Sequence, residues 1–252
     1  MNLKSKTLKE GDFVEFMVFR YDPSKDEEIY YIIYEIPYRQ GMTVLDGLLY
    51  ILEELDDSLS LRYNCRSKIC GSCAVMVNGI QRLACETQVS AIGKKIKVEP
   101  LAHFKIIKDL VVDIEPFLSQ MEATMPYIHL KTESSELKIN TNKFTKYKPP
   151  SDCIWCACCT STCPISSIDP YYLGPAALSQ LYHFIIDFRE LKDMKSFRLF
   201  LAENGVYGVW KCHQSFACTK VCPKGINPGS LISRLKRIII KERLKPRISR
   251  AR

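Results

Sequence analysis

Several things are missing from this chain, and each absence excludes a class of protein. No apolar stretch approaches the roughly 18–20 residues that a membrane-spanning helix needs, so the expectation is a soluble or peripheral protein. No secretory hydrophobic core follows the polar start Met1–Asp12. That argues against a disulfide framework and puts the cysteines in a reducing compartment. No nucleic-acid reader motif or interleaved aromatic stripe accompanies the positive charge, so nucleic acid is not an expected partner. The rest of the composition is ordinary for a globular chain, with 46% hydrophobic and 25% charged residues. At 252 residues, one or two domains with real cores are expected.

Cysteine is what the chain has in plenty. Eleven of its twelve cysteines resolve into three ligand sets. Cys65, Cys70, Cys73 and Cys85 follow the C-x4-C-x2-C…C spacing of a plant-type 2Fe–2S site. Cys153, Cys156, Cys159 and Cys163-Pro164 form the C-x2-C-x2-C-x3-C-P run of bacterial ferredoxins. Counting back from Cys222-Pro223 by the same spacing gives Cys218, Ser215 and Cys212, a run with one thiolate replaced. In two-cluster proteins the last cysteine of each run ligates the other run's cluster. Crossing them gives a complete 4Fe–4S set of Cys153, Cys156, Cys159 and Cys222. The other set is Cys163, Cys212 and Cys218, with Ser215 in the fourth place. Thiolate holds iron far better than a neutral hydroxyl, so 3Fe–4S is expected there. The alternative is a 4Fe–4S cluster with Ser215 alkoxide or water on the fourth iron. Cys158 is left over and reads as a buried spare thiol.

Structural zinc sites usually show paired C-x2–4-C knuckles separated by a longer spacer. The two C-P runs, and the small residues in Lys68-Ile69-Cys70-Gly71-Ser72-Cys73, fit clusters instead, because backbone amides must approach the bridging sulfides. The tryptophans beside the later arrays, Trp155 and Trp210, read as packing that shields a cluster from water.

The net charge of +8 is concentrated at the C-terminus. Residues 229–252 contain nine Lys/Arg and one acid, Glu242, which leaves the remainder neutral. Leu231, Leu235, Ile238 and Ile239 recur there at helical spacing. The segment is either a terminal helix with a solvated face or a basic surface for anionic lipid or an acidic partner.

The N-terminal half alternates strands and a helix. Phe13–Tyr21 and Tyr30–Pro37 read as strands, and Thr43 caps a helix to about Leu55. Asn78-Gly79 joins Ala74–Val77 to Ile80–Leu83 as a hairpin, and Ile96–Glu99 is a further strand. Beyond Asp109 helical periodicity dominates: Val111–Met125, Pro175–Glu190, Lys195–Asn204 and Ser230–Leu244, with a polar stretch at Thr132–Pro150. The fold class is α+β. A β-grasp plant-type ferredoxin domain is expected over 1–108. An all-α, bacterial-ferredoxin-like domain with a basic tail is expected over 109–252.

Several motifs together resemble the iron–sulfur subunit of succinate dehydrogenase and fumarate reductase. They are Cys65-Arg66-Ser67-Lys68-Ile69-Cys70-Gly71-Ser72-Cys73-Ala74, Leu83-Ala84-Cys85, Ile107-Lys108-Asp109-Leu110-Val111-Val112-Asp113 and Cys222-Pro223-Lys224-Gly225-Ile226-Asn227-Pro228. The resemblance runs from about Phe13 to Leu244. It implies a subunit without bond chemistry of its own, carrying 2Fe–2S, 4Fe–4S and 3Fe–4S clusters. Its implied partners are an FAD-containing flavoprotein subunit, where succinate and fumarate interconvert, and a membrane anchor handling quinone. It also implies haem as an optional group in partner subunits. The implied location is the cytoplasmic face of the plasma membrane, held peripherally by the anchor.

The quinone end carries features of both family types. The succinate dehydrogenase type places tryptophan five residues after the cysteine of the C-P pair, where this chain has Ile168. Cys163–Ala177 looks more like the fumarate reductase type, whereas Cys212-His213 resembles the dehydrogenase type. Pro164, Ile168 and His213 are the quinone-proximal candidates, with His213 able in type to assist proton uptake. Two rival functions are a related reductase subunit with a different donor or anchor, and a soluble ferredoxin-like carrier. Exposed apolar surface around Arg66–Ile69 would favour a permanent subunit over the carrier.

Overall fold

A computed structural model describes residues 8–130 and 150–244. The described residues form two compact units. The first comprises residues up to Glu115 with Ile154–Thr162 and Val221–Pro223. The second comprises Pro116–Cys153, Cys163–Lys220 and the residues from Lys224 onward.

The first unit is built on a mixed five-stranded sheet. Its strands are β1 (Phe13–Arg20), β2 (Tyr30–Pro37), β3 (Ala74–Val77), β4 (Ile80–Leu83) and β5 (Lys95–Glu99), in the order β2-β1-β5-β3-β4. β1 pairs antiparallel with β2 and parallel with β5. The inward residues of β1, Val14, Phe16 and Val18, alternate along the strand and are fully buried. β3 and β4 meet through Asn78 and Gly79, both at positive φ (49° and 77°), as the tight hairpin turn requires.

Helix α1 (Val44–Tyr50) starts at a capping box. Thr43 Oγ1 accepts from the Asp46 amide, and the Asp46 carboxylate accepts from the Thr43 amide. Its apolar stripe, Val44, Leu45, Leu48 and Leu49, joins the sheet core. Gly47 permits the close approach, since a Cβ there would lie 2.3 Å from the Phe16 ring. The expected helix to Leu55 is realised with a change of pitch, because Ile51–Leu55 is a π turn closed by Asp56 N–H to Ile51 O at 2.7 Å.

Around the sheet, two short elements differ from the sequence expectation. One is α2 (Val89–Ile92). The other is the hairpin of β6 (Ile106–Lys108) and β7 (Val111–Val112). Asp109 turns that hairpin at φ 46° and is almost fully buried. Its carboxylate accepts from Arg20 Nε at 3.0 Å and from the Tyr21 and Ser60 amides. Arg20 also donates to the Tyr34 hydroxyl at 2.8 Å, to Ser58 Oγ at 2.7 Å and to Asp56. Burial opposes the charge on Arg20, but Asp109 and Asp56 outweigh it. Removing one partner from such a buried pair costs about 3–5 kcal/mol.

The helical periodicity over Val111–Met125 overstates what forms. Helix α3 spans Glu115–Glu122 only, and Val111–Val112 are in the β7 strand. Pro116 explains the late start, because its ring would clash with the carbonyl four residues earlier, that of Val112. Asp113 Oδ1 instead accepts from the Glu115 amide at 3.0 Å.

The second unit is otherwise helical, with α5 (Gly174–Ile186), α6 (Lys192–Glu203), α7 (Ala217–Lys220) and α8 (Pro228–Leu244). A short α4 (Cys158–Ser161) precedes these in the chain and belongs to the first unit. α5 stops at Ile186, short of the expected Glu190, where Asp187 turns the chain by accepting from the Arg189 amide and pairing with its guanidinium. α8 begins at Pro228, with Asn227 Oδ1 accepting from the Ser230 amide at 2.9 Å. α5 packs on α8, and Leu178 and Leu181 of the first and Leu231, Ile232 and Leu235 of the second are buried. Of the basic C-terminal residues, Lys245, Arg247, Arg250 and Arg252 lie outside the described residues, as does the polar stretch 132–149. Among the described residues no helix is long and apolar enough to cross a membrane.

Candidate metal centres

The first cysteine loop lies between α1 and β3. Arg66, Lys68 and Gly71 all adopt positive φ (53°, 57° and 74°), which folds the loop back on itself. Successive amides in such a conformation form a concave donor nest suited to an anion. Here the target is sulfur: the Ser67, Ile69 and Cys70 amides all donate to Cys65 Sγ at 3.3–3.4 Å. Ser72 Oγ lies 3.1 Å from Cys70 Sγ. Burial opposes ionisation of Cys70, but the Ser72 hydroxyl and neighbouring amide bonds outweigh it and bring its thiol down to about 6. Cys73 is buried, which pushes its thiol up to about 12, with Cys85 as its neighbour. Gly71 leaves no room for a side chain, since a Cβ there would meet Ile154 O at 2.7 Å and Cys156 Cα at 3.0 Å.

The two later arrays share a backbone plan. After Cys153, the residues two and four places on, Trp155 and Ala157, are at φ 55° and 61°, and α4 follows at once. After Cys212, the residues at the same offsets, Gln214 and Phe216, are at φ 56° and 57°, and α7 follows at once. A bulky residue at positive φ is rare without a reason. A donor nest around a cluster supplies one. Ser215 occupies in the second loop the place that Cys156 occupies in the first.

The thiols group across the arrays rather than within them. Cys158 sits among Cys156, Cys159 and Cys222. Cys218 sits with Cys163 and Cys212. The last cysteine of each run has therefore joined the other run. Cys158 keeps its proton: its S–H bonds to Cys156, and both that bond and burial push its thiol up, while the same bond brings Cys156 down. Cys153 heads its run half-buried. Among the described residues, no three His, Cys, Asp or Glu converge tightly enough for a single metal ion. The Ser67, Ile69 and Cys70 amides aimed at Cys65 Sγ are donors of the kind that suits a sulfur-rich cluster.

Around Cys163, Cys212 and Cys218 the second unit has a small cavity, also lined by Pro164, Tyr172, His213 and Ser215. Pro164 and His213 are thus beside it, and Ile168 is not: its side chain stands 79% exposed, near Tyr171 in sequence at 72%. Ser215 and His213 are exposed at the mouth. Trp210 corrects the shielding expectation, because it is 39% exposed with the Lys236 ammonium 6.0 Å from its ring centre; Trp155 is half-buried. Tyr172, buried against the three thiols, was not singled out from the sequence, where a tyrosine near α5 looks like any core residue.

Clustered thiols under amide nests define an iron–sulfur protein. Comparisons give the particular kind. The 2Fe-2S iron-sulfur cluster binding domain family matches residues 15–119, and the 4Fe-4S dicluster domain family matches residues 149–226. The chain is 38% identical over 234 residues to the fumarate reductase iron-sulfur subunit of Haemophilus influenzae, covering 87% of this chain and 90% of that one. It is 36% identical over 250 residues to the mitochondrial succinate dehydrogenase iron-sulfur subunit of Dictyostelium discoideum, covering 94% and 86%. In fold it is similar to a chain of the Mycobacterium smegmatis Sdh1 complex, with TM-score 0.83 at 22% identity, covering 94% of this chain and 99% of that one. The chain belongs to the iron–sulfur subunits of succinate dehydrogenase and fumarate reductase.

Proposed function

We propose that this subunit relays electrons in a succinate:quinone or quinol:fumarate oxidoreductase, through three ligand sets. Cys65, Cys70, Cys73 and Cys85 hold 2Fe–2S; Cys153, Cys156, Cys159 and Cys222 hold 4Fe–4S; Cys163, Cys212 and Cys218 hold 3Fe–4S. Bound, these clusters supply one-electron steps between FAD on a flavoprotein subunit and quinone at a membrane anchor. The chain's own residues fix cluster positions, exclude water and aim amides at sulfur. The ligand sets divide between a β-grasp plant-type ferredoxin domain over 1–108 and a bacterial-ferredoxin-like helical domain over 109–252. The subunit sits peripherally on the cytoplasmic face of the plasma membrane, and dicarboxylate chemistry belongs to the flavoprotein partner.

The observation that carries this reading is the exchange of Cys163 and Cys222 between arrays, which a two-cluster relay needs and separate metal knuckles do not. Exposed apolar residues favour a permanent subunit over a transient carrier: Ile69 (66%) and Tyr63 border the first loop, and Ile168, Tyr171 and Phe216 lie near the second unit's thiols in sequence. Pro164 and His213, beside the cavity, suit the quinone end, with His213 delivering a proton there. Ile168 suits the anchor-facing surface.

The test is the native complex. It should co-purify with a flavoprotein and an anchor, with about nine irons and ten acid-labile sulfides per chain of this subunit. Zinc without acid-labile sulfide, or a chain that purifies alone from membranes and cytosol alike, contradicts the proposal.

A further inference from the structure

Tyr172 is 1% exposed, and its hydroxyl has no hydrogen-bond partner. Such a group is rare, because burying an unpaired O–H is costly. Its surroundings are sulfur: the Cys212, Cys163 and Cys218 thiols face it, with Cys212 close enough for a weak contact but not for a full hydrogen bond. A phenol at neutral pH is an O–H donor. Its position is held firmly. The Tyr172 amide donates to Asp169 O at 3.3 Å, and Asp169 is paired with Lys211. Gln120 Nε2 donates to Tyr172 O at 3.2 Å, and the Leu173 amide donates to Tyr207 O at 3.1 Å. A donor fixed in the wall of a thiol-lined cavity, with no oxygen or nitrogen in the protein to accept from it, is left to sulfur for an acceptor.

We infer that the Tyr172 hydroxyl donates a hydrogen bond to a sulfur of the cluster held by Cys163, Cys212 and Cys218, and so raises its midpoint potential. The inference rests on the ligand reading proposed above. Reduction adds negative charge to the cluster, and a fixed donor stabilises the more negative state. The ring has the opposite influence, since excluding water disfavours added charge. Tyr172 thus supplies a tuning bond where the same side chain has removed solvent.

The experiment is redox-poised EPR on the assembled complex with Tyr172→Phe, which keeps the ring and deletes the donor. At a fixed potential the reduced:oxidised ratio of the trinuclear centre should fall about tenfold, equivalent to a drop of about 59 mV for a one-electron couple. The 2Fe–2S midpoint should not move. Proton ENDOR of the oxidised wild-type centre should show a coupling that is lost on exchange into deuterated buffer and that the variant lacks in ordinary buffer. An unchanged midpoint, or a retained coupling, overturns the inference. Should the Phe variant fail to assemble, Tyr172→Met gives the second reading. Loss of this cluster alone in both variants would make Tyr172 a packing residue and overturn it too. Absence of any trinuclear signal in the wild type instead overturns the ligand reading beneath it.

Discussion

The loop after Cys153 and the loop after Cys212 have the same backbone and different chemistry. Each places two residues at positive φ at the same offsets and runs into a four-residue helix. At the matching position one has Cys156, half-buried, and the other has Ser215, exposed. Their surroundings differ too. The first loop lies under Gly71 and is bonded internally by Cys158; the second is fastened by Lys236, whose ammonium donates to Cys212 O at 2.9 Å. On the ligand reading proposed above, the nest of amides is common to both loops and the side chain at one position sets how many irons each holds. The two loops share the cradle and differ in the donor at this one position, which is exposed in the second loop.

The largest effect should come from making the first loop chemically like the second. Cys156→Ser removes a thiolate from a complete set, and a hydroxyl does not replace it. The 4Fe–4S signal should be lost, converting to a trinuclear signal or to an empty site, as read by EPR and iron analysis. A retained tetranuclear centre would break the comparison outright.

Next is Gly71→Ala, which strikes a support that only the first loop has. The new Cβ would press on the Ile154 and Cys156 backbone at positive φ. The expected cost is about 2–3 kcal/mol, or about 5–10 °C in melting temperature, with reduced 2Fe–2S absorbance. Thermal denaturation followed by circular dichroism checks it.

A smaller effect is expected at Ala157, buried at φ 61°. Valine, branched at Cβ, should cost about 1–3 kcal/mol there, while glycine should stay within about 1 kcal/mol of wild type. Equal tolerance of both would mean that the left-handed geometry is not needed for the loop. The smallest change is Lys236→Met, expected to cost about 1 kcal/mol in thermal stability without altering iron content.

What the sequence made legible was local. Thr43 and Asp46 announce a capping box, Asn78-Gly79 a hairpin, and Asn227-Pro228 could have moved the start of α8 two residues earlier. The cysteine spacing announced the arrays because ligand geometry repeats in the chain itself. The left-handed residues were not legible: Trp155, Ala157, Gln214 and Phe216 have no intrinsic leaning to positive φ, so closure of the nests imposes it. Val111–Met125 misled because periodicity carries no steric information, and Pro116 does. Tyr172 was invisible for another reason. A buried tyrosine is ordinary until its hydroxyl is found without a partner beside three thiols, and only three-dimensional placement shows that.

The central claim is that Ser215 stands at a ligand position and withholds the fourth iron. Mössbauer and EPR spectroscopy of the air-oxidised complex, wild type against Ser215→Cys, tests it most directly. The account predicts a 3Fe–4S centre in the wild type and its conversion to 4Fe–4S in the variant, since thiolate supplies what the hydroxyl lacks. Four irons at that centre in the wild type, or an unchanged trinuclear signal in the variant, would contradict it.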